Sequence, residues 1–275
     1  MIDMVGIGPF VVMPLVISYV GGPGFLAAWI AGALLSFIDT MIWSELGSAF
    51  PKAGGSFNFL REAYGREKWG KLMSFLYVWQ TLIQAPLVIA SGSIGFAQYA
   101  GYLIPLDEFT RRVVSGSVVI LLTIILYRKI DTIGKIGTML WAGVILTIGW
   151  LIWGGITHGD LNRPIKEFTE LNSFSYLLTA GFGSAMVKTI YSYLGYYNVC
   201  HLGGEIKNPS KNIPRSMFIS ITGIAILYLA MNISVASVLP FQTIVDSKFV
   251  VSDYIKALFG QTAGAIATVL ILMVA

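Results

Sequence analysis

Eight apolar runs, at about residues 5–20, 24–50, 70–104, 112–127, 136–157, 177–203, 213–240 and 262–275, leave this chain little that could live in water. Most lie near the roughly 20 residues that carry a helix across the hydrocarbon of a bilayer. Only 12% of the 275 residues are charged, about half the share in a soluble domain, and the mean hydropathy is +0.75. No strand-length alternation of apolar and polar residues recurs, so a barrel is excluded and helices must satisfy the backbone internally. The predicted fold class is an all-α polytopic membrane protein with eight spans. Met1-Ile2-Asp3 supplies no basic segment ahead of the first run and no small-x-small cleavage site follows it, so that run is read as structure rather than a leader.

The charges fix an orientation. With the N-terminus in the cytoplasm, the inner loops 51–71, 128–135 and 204–215 hold eleven basic residues: Lys52, Arg61, Arg66, Lys68, Lys71, Arg128, Lys129, Lys135, Lys207, Lys211 and Arg215. The outer loops hold six, Arg111, Arg112, Arg163, Lys166, Lys248 and Lys256, diluted by Asp107, Glu108, Asp160, Glu167, Glu170, Asp246 and Asp253. The positive-inside rule predicts a multi-pass protein of the cell membrane with a cytoplasmic N-terminus. Basic residues spread over three short loops argue against nucleic acid as a partner, despite a net charge of +4. Residues 251–258, "VSDYIKAL", are expected to form a short interfacial helix.

Enzyme chemistry finds no support. The single cysteine, Cys200, excludes an intrachain disulfide and suits a small buried position. The two histidines, His158 and His201, lie at opposite ends of spans and make no metal site with one cysteine. HExxH, GxSxG and Walker A patterns are absent, and "GIGPFV" lacks the third glycine, preceding strand and downstream acid of a dinucleotide site. No cofactor or metal is expected. The last run stops after about 14 apolar residues, short of a full span, and the first has five residues ahead of Gly6. Both ends give the expectation of a fragment of a longer protein.

Two runs are built to come apart. "VGIGPFVVMPL", Val5 to Leu15, packs two glycines and two prolines into a spanning segment, the residues least compatible with a helix interior. Gly6 and Gly8 admit close approach of a ligand, and Pro9 suits the first turn of a helix restarting after a gap. That new N-terminus aims free N–H groups at an anion such as a carboxylate. The sixth run carries Gly195 amid tyrosines and closes at Gly203-Gly204. Paired interrupted helices in corresponding positions of two halves point to a transporter site, and the first and sixth helices stand five apart, the spacing of a 5 + 5 inverted repeat. Glycine is frequent in membrane helices in any case, and with 30 glycines in the chain chance clustering stands as the alternative.

These stretches resemble a known family. "GIGPFVVMP" is similar to the first-helix signature of the amino acid/polyamine/organocation (APC) superfamily, usually Gly-Ser-Gly-Ile-Phe followed by a proline. "ELGSAFPKAGGSFNFLREAYG", Glu45 to Gly65, resembles its second helix and following loop, and "GGEIKNPSKNIPRS", Gly203 to Ser216, its loop after the sixth helix. The "YYNVCHLGGEIKNPSKNIP" version is closer to the L-type amino acid transporter branch than to the arginine/agmatine exchangers. The resemblance implies a LeuT-like fold, with residues 1–157 the first five-helix repeat and 177–275 an incomplete second one. It implies backbone N–H groups of Gly6, Ile7 and Gly8 for a substrate carboxylate, and carbonyls around Tyr193, Leu194 and Gly195 for its amine. Tyr191 takes the place of the aromatic lid, and Tyr197 the place where guanidinium-binding relatives carry a carboxylate. Ile7 stands where a serine is common. Trp141 lies near the place of a lysine that replaces sodium in some relatives, with no lysine between Lys135 and the end of that helix, which leaves ion coupling open.

Three further side chains are weighed singly. Asp39, an acid that a membrane makes costly by roughly 2.5–3.5 kcal/mol, is either a proton carrier or an interior group bonded to neighbouring Ser or Thr, while Glu45 is read as a partner for a loop base or helix end. Lys188 either draws anions toward the site or snorkels outward, and Gln84 faces the cavity or a neighbouring helix. The reading as a whole is a secondary transporter of amino acids, neutral ones because the Tyr197 position lacks an acid, working as permease or exchanger by alternating access. A membrane sensor or assembly subunit reusing the fold is the alternative, and a continuous channel fits broken helices less well.

Overall fold

The computed structural model describes residues 4–128, 130–170 and 179–274. Residues 1–3, Lys129 and the start of the sixth apolar run therefore lie outside the described residues. Seven helices carry the apolar runs: α1 (Gly8–Val20), α2 (Phe25–Ala49), α4 (Lys68–Leu103), α5 (Glu108–Leu126), α6 (Ile130–His158), α8 (Ala180–Tyr193) and α9 (Pro209–Val238). An eighth, α12 (Gln261–Val274), ends the described chain. Between them lie α3 (Ser56–Ala63), α7 (Asn162–Thr169), α10 (Phe241–Asp246) and α11 (Val250–Phe259), the last a helix over the expected residues 251–258. No strand occurs among the described residues.

Eight spans were expected, the first and sixth interrupted and the last short of a full crossing. Among the described residues five helices, within α2, α4, α5, α6 and α9, are long and apolar enough to cross a bilayer. Helices α1, α8 and α12 have 13, 14 and 14 residues, about 20 Å each at 1.5 Å per residue, too short to do so unaided. The reason at α8 is the break itself, since the sixth run divides into α8 and a separate 3-10 stretch, Tyr196–Leu202. Helices α3, α7 and α10 have six to eight residues, below what apolar periodicity detects in loops.

Helix α5 starts where its sequence says it should. Asp107 caps it, accepting the N–H of Phe109 at 3.2 Å and the Thr110 hydroxyl, and these bonds hold its carboxyl below the usual range. The opposite flank is plain: α5 buries none of its residues, and Leu82, Ile83 and Leu87 of α4 are exposed too. Such apolar outer faces suit lipid.

Helix α1 packs on α8, and α2 packs on both α8 and α9. Lipid offers no hydrophobic drive for helices to meet, so small residues that let backbones approach must supply the fit. A Cβ on Gly32 would lie 2.9 Å from Thr189 Cβ, one on Gly155 2.7 Å from Ser234 Cα, and one on Gly47 2.7 Å from Cys200 Sγ. The Thr189 hydroxyl donates to the Ala28 carbonyl at 2.9 Å, fastening α8 to α2 at the same place. At the centre Trp29, Tyr193 and Tyr228, all fully buried, meet with ring centroids 5.4–5.8 Å apart. Aromatic contacts of this kind contribute about 0.5–1.5 kcal/mol each beyond area.

Candidate functional site

Both interruptions face one cavity of about 630 Å³, within the size range of small-molecule sites. Its first wall is the stretch Met4–Pro9 leading into α1. Pro9 occupies the first turn, and Ile7 closes it by accepting the N–H groups of Phe10 and Val11 at 3.2 and 3.3 Å. No backbone acceptor among the described residues takes the N–H of Gly6, Ile7 or Gly8. Those donors are the orphans of a helix start, and here they border a hollow.

The second wall is the break after α8. Leu194 is extended (φ −62°, ψ 159°), and Gly195 has φ 120° and ψ −23°, a backbone conformation that side chains with a Cβ rarely adopt. The turn ends α8 so that the carbonyls of Ser192, Tyr193 and Leu194 receive no backbone N–H among the described residues. Gly195 itself accepts from Asn198 N–H at 3.1 Å and starts the 3-10 stretch. Donors on one wall and acceptors on the other, without backbone partners among the described residues, suit a molecule carrying both an anionic and a cationic end.

Helix α4 forms the third side with Tyr77, Thr81, Gln84 and the turn near Ser91 and Gly92. Of the residues singled out in the sequence, Gly6, Ile7, Gly8, Gln84, Tyr191, Leu194, Gly195 and Tyr197 line the cavity. Gln84 accepts from the Gln80 amide. Tyr191 lies at the rim, 48% exposed, and Tyr197 stacks on Trp43 with centroids 5.1 Å apart. Three side chains are elsewhere. The Tyr193 ring turns into the core and donates to the Trp29 carbonyl at 3.3 Å, and Lys188 is half-buried, outside the lining and without an ion pair among the described residues. Asp39 is also off the cavity, and the expected Ser or Thr partner is corrected: it accepts from the Tyr196 hydroxyl at 2.6 Å. Glu45 is exposed and forms no ion pair among the described residues.

Sequence reasoning passed over several supports. Ile7 was noted for a missing hydroxyl, yet its side chain lies against Gly95 of α4, where a Cβ would come within 2.8 Å of Ile7 Cγ2. That contact seats the glycine wall against α4. Tyr228 donates to the Met4 carbonyl at 2.9 Å and holds the start of the same wall. Near the end of the 3-10 stretch His201 lines the cavity, its Nε2 3.3 Å from Tyr77 Oη, and the His201 carbonyl accepts from Gly54 N–H at 3.1 Å. None of these pairs is close in sequence, so no local signal announces them. Gly95→Val is expected to push Ile7 and the donor wall inward and weaken binding of the cavity's ligand by at least tenfold, measured by equilibrium binding.

Among the described residues the lining contains no Asp, Glu, Lys or Arg. The directed polarity of these residues comes from backbone, phenols, serine and threonine hydroxyls, amides and one imidazole. Fold and cavity together define a polytopic helical membrane protein with a cavity of small-molecule size at two helix breaks. The chain belongs to the amino acid permease family, whose sequence model matches residues 1–275. It is 28% identical over 268 residues to the serine/threonine exchanger SteT of Bacillus subtilis, covering 97% of this chain and 59% of that protein. It is 26% identical over 268 residues to the Asc-type amino acid transporter 1 of Mus musculus (94% and 49%) and 26% identical over 282 residues to the high-affinity methionine permease of Saccharomyces cerevisiae (98% and 48%). The chain thus spans about half to three-fifths of the length of these relatives.

Proposed function

We propose that the protein is a secondary transporter of neutral α-amino acids, a permease or exchanger that works by alternating access around this cavity. The observation that carries the reading is the pairing of backbone donors at Gly6–Gly8 with carbonyls at Ser192–Leu194, neither set with a backbone partner among the described residues, across a hollow whose described lining is uncharged. The substrate carboxylate takes the donors and the α-amine takes the acceptors. Tyr191 at the rim covers the bound molecule, and Tyr197 reads its side chain. A cationic side chain would lack a counter-charge there, so it is disfavoured.

The relatives named above are by their names a serine/threonine exchanger, an amino acid transporter and a methionine permease, which supports an amino acid substrate, and two of the three names carry neutral ones. The remaining parts of the reading are a cytoplasmic N-terminus, a cell-membrane location, and residues 1–157 and 177–275 as a complete and a partial five-helix repeat. The test is uptake by the full-length protein in proteoliposomes. Labelled serine, alanine, leucine and methionine are offered with and without an internal amino acid. Saturable uptake of at least one, with arginine and glutamate at least tenfold poorer competitors, is expected. Failure of every neutral amino acid in uptake and counterflow would overturn the reading.

A further inference from the structure

The acid in the middle of α2 does not reach the cavity, and the transport reading gives it no part. Asp39, Trp43 and Gly47 stand at i, i+4 and i+8, a single stripe along α2. Each meets the 3-10 stretch in order. Asp39 accepts from Tyr196 Oη at 2.6 Å, Trp43 stacks on Tyr197, and Gly47 makes room for Cys200, whose thiol donates to the Trp43 carbonyl at 3.7 Å. Tyr196 is 4% exposed and meets Tyr197 edge-on, centroids 5.6 Å apart at 86°. Tyr197 then lines the cavity.

A 3-10 stretch has poorer hydrogen bonds than an α-helix and rarely persists for seven residues unaided, so this one needs an external hold. We propose that Asp39 is a positioning residue: its carboxylate anchors Tyr196, fixes the 3-10 stretch along the α2 stripe, and so sets the Tyr197 ring against the substrate. The proposal rests on the transport reading for its effect on substrate, but the hold itself is a property of the fold. A side-chain oxygen that accepts from the buried Tyr196 hydroxyl spares that phenol an unmade hydrogen bond, which gives a polar side chain a use at a place where a membrane disfavours it.

The only cysteine of this sequence, Cys200, is 2% exposed and lies within the held stretch. It is a reporter that needs no transport. In the full-length protein, Asp39→Ala, Asp39→Asn, Tyr196→Phe and the Asp39→Ala/Tyr196→Phe double variant are compared by amino acid uptake and by maleimide alkylation of Cys200, followed by mass spectrometry. Asp39→Ala and Tyr196→Phe are each expected to raise KM five- to tenfold with Vmax within twofold. The double variant is expected to be no worse than the worse single one. Asp39→Asn, which keeps an acceptor oxygen, restores KM to within threefold, and Cys200 alkylation rises at least fivefold in the Ala and Phe variants alone. Additive effects, a loss confined to Vmax, or unchanged Cys200 reactivity in Tyr196→Phe would overturn the proposal. Tyr196→Phe and Asp39→Asn decide it even if Asp39→Ala does not fold. Wild-type protein that moves no amino acid would overturn the transport reading, while Cys200 reactivity still tests the hold.

Discussion

Gly195→Ala is expected to reduce amino acid uptake at least tenfold while the protein still inserts and elutes as a single species. Gly195 has φ 120° and ψ −23°, and a Cβ in sparsely populated backbone regions costs about 1–3 kcal/mol. With a factor of ten for each 1.4 kcal/mol or so, that strain is enough to empty the native turn in favour of a relaxed one. Relaxing it rotates the peptides on either side of Gly195, which moves the Leu194 carbonyl and the bond from Asn198 N–H to Gly195 O, 3.1 Å long. The first belongs to the acceptor wall and the second starts the 3-10 stretch that carries Tyr197. Gly183→Ala, in the body of α8 where an added Cβ meets nothing within 4 Å, serves as the control and should transport like the wild type. Initial-rate uptake at equal reconstituted protein separates the two, and wild-type rates for Gly195→Ala would show that the turn plays no part in binding.

The contrast between these glycines shows what was legible in the sequence. The breaks could be read because their cause is local: Gly6, Gly8, Pro9 and Gly195 impose themselves on the chain wherever it folds. The apolar runs were equally local and placed the long helices within a few residues. The arrangement of side chains around the breaks was not local. Tyr193 stood in the right stretch, but the α8 turn sends its ring to Trp29, and only the packing of α2 decides that. Asp39 was visible as an unusual acid, whereas Tyr196, 157 positions away in the chain, could not be assigned to it. Ile7 was read as a missing hydroxyl because its neighbour Gly95 lies on another helix. Function was thus traceable through backbone exceptions, and the supports that hold them belong to tertiary contacts.

The second large effect concerns stability. Gly32→Val is expected to destabilise the protein severely, and Gly32→Ala by about 1–3 kcal/mol, the usual range for forcing added atoms into a packed contact. A Cβ at Gly32 would stand 2.9 Å from Thr189 Cβ and 3.3 Å from the Ile190 backbone nitrogen. Thr189 is fully buried and bonded to the Ala28 carbonyl, so it has no open space into which to retreat. Helices α2 and α8 would have to separate there, and Trp29, one turn earlier, would lose its seat against Tyr193. Gly149→Ala in α6 is the matched comparison, since its Cβ would meet nothing within 4 Å and alanine favours a helix by up to about 1 kcal/mol. Thermal unfolding of the full-length protein in detergent should therefore show a lowered midpoint for Gly32→Ala and an unchanged or raised one for Gly149→Ala. Equal midpoints would mean that α2 and α8 can part without loss. The close approach that lets α2 reach the broken segment would then not be what holds the two helices together.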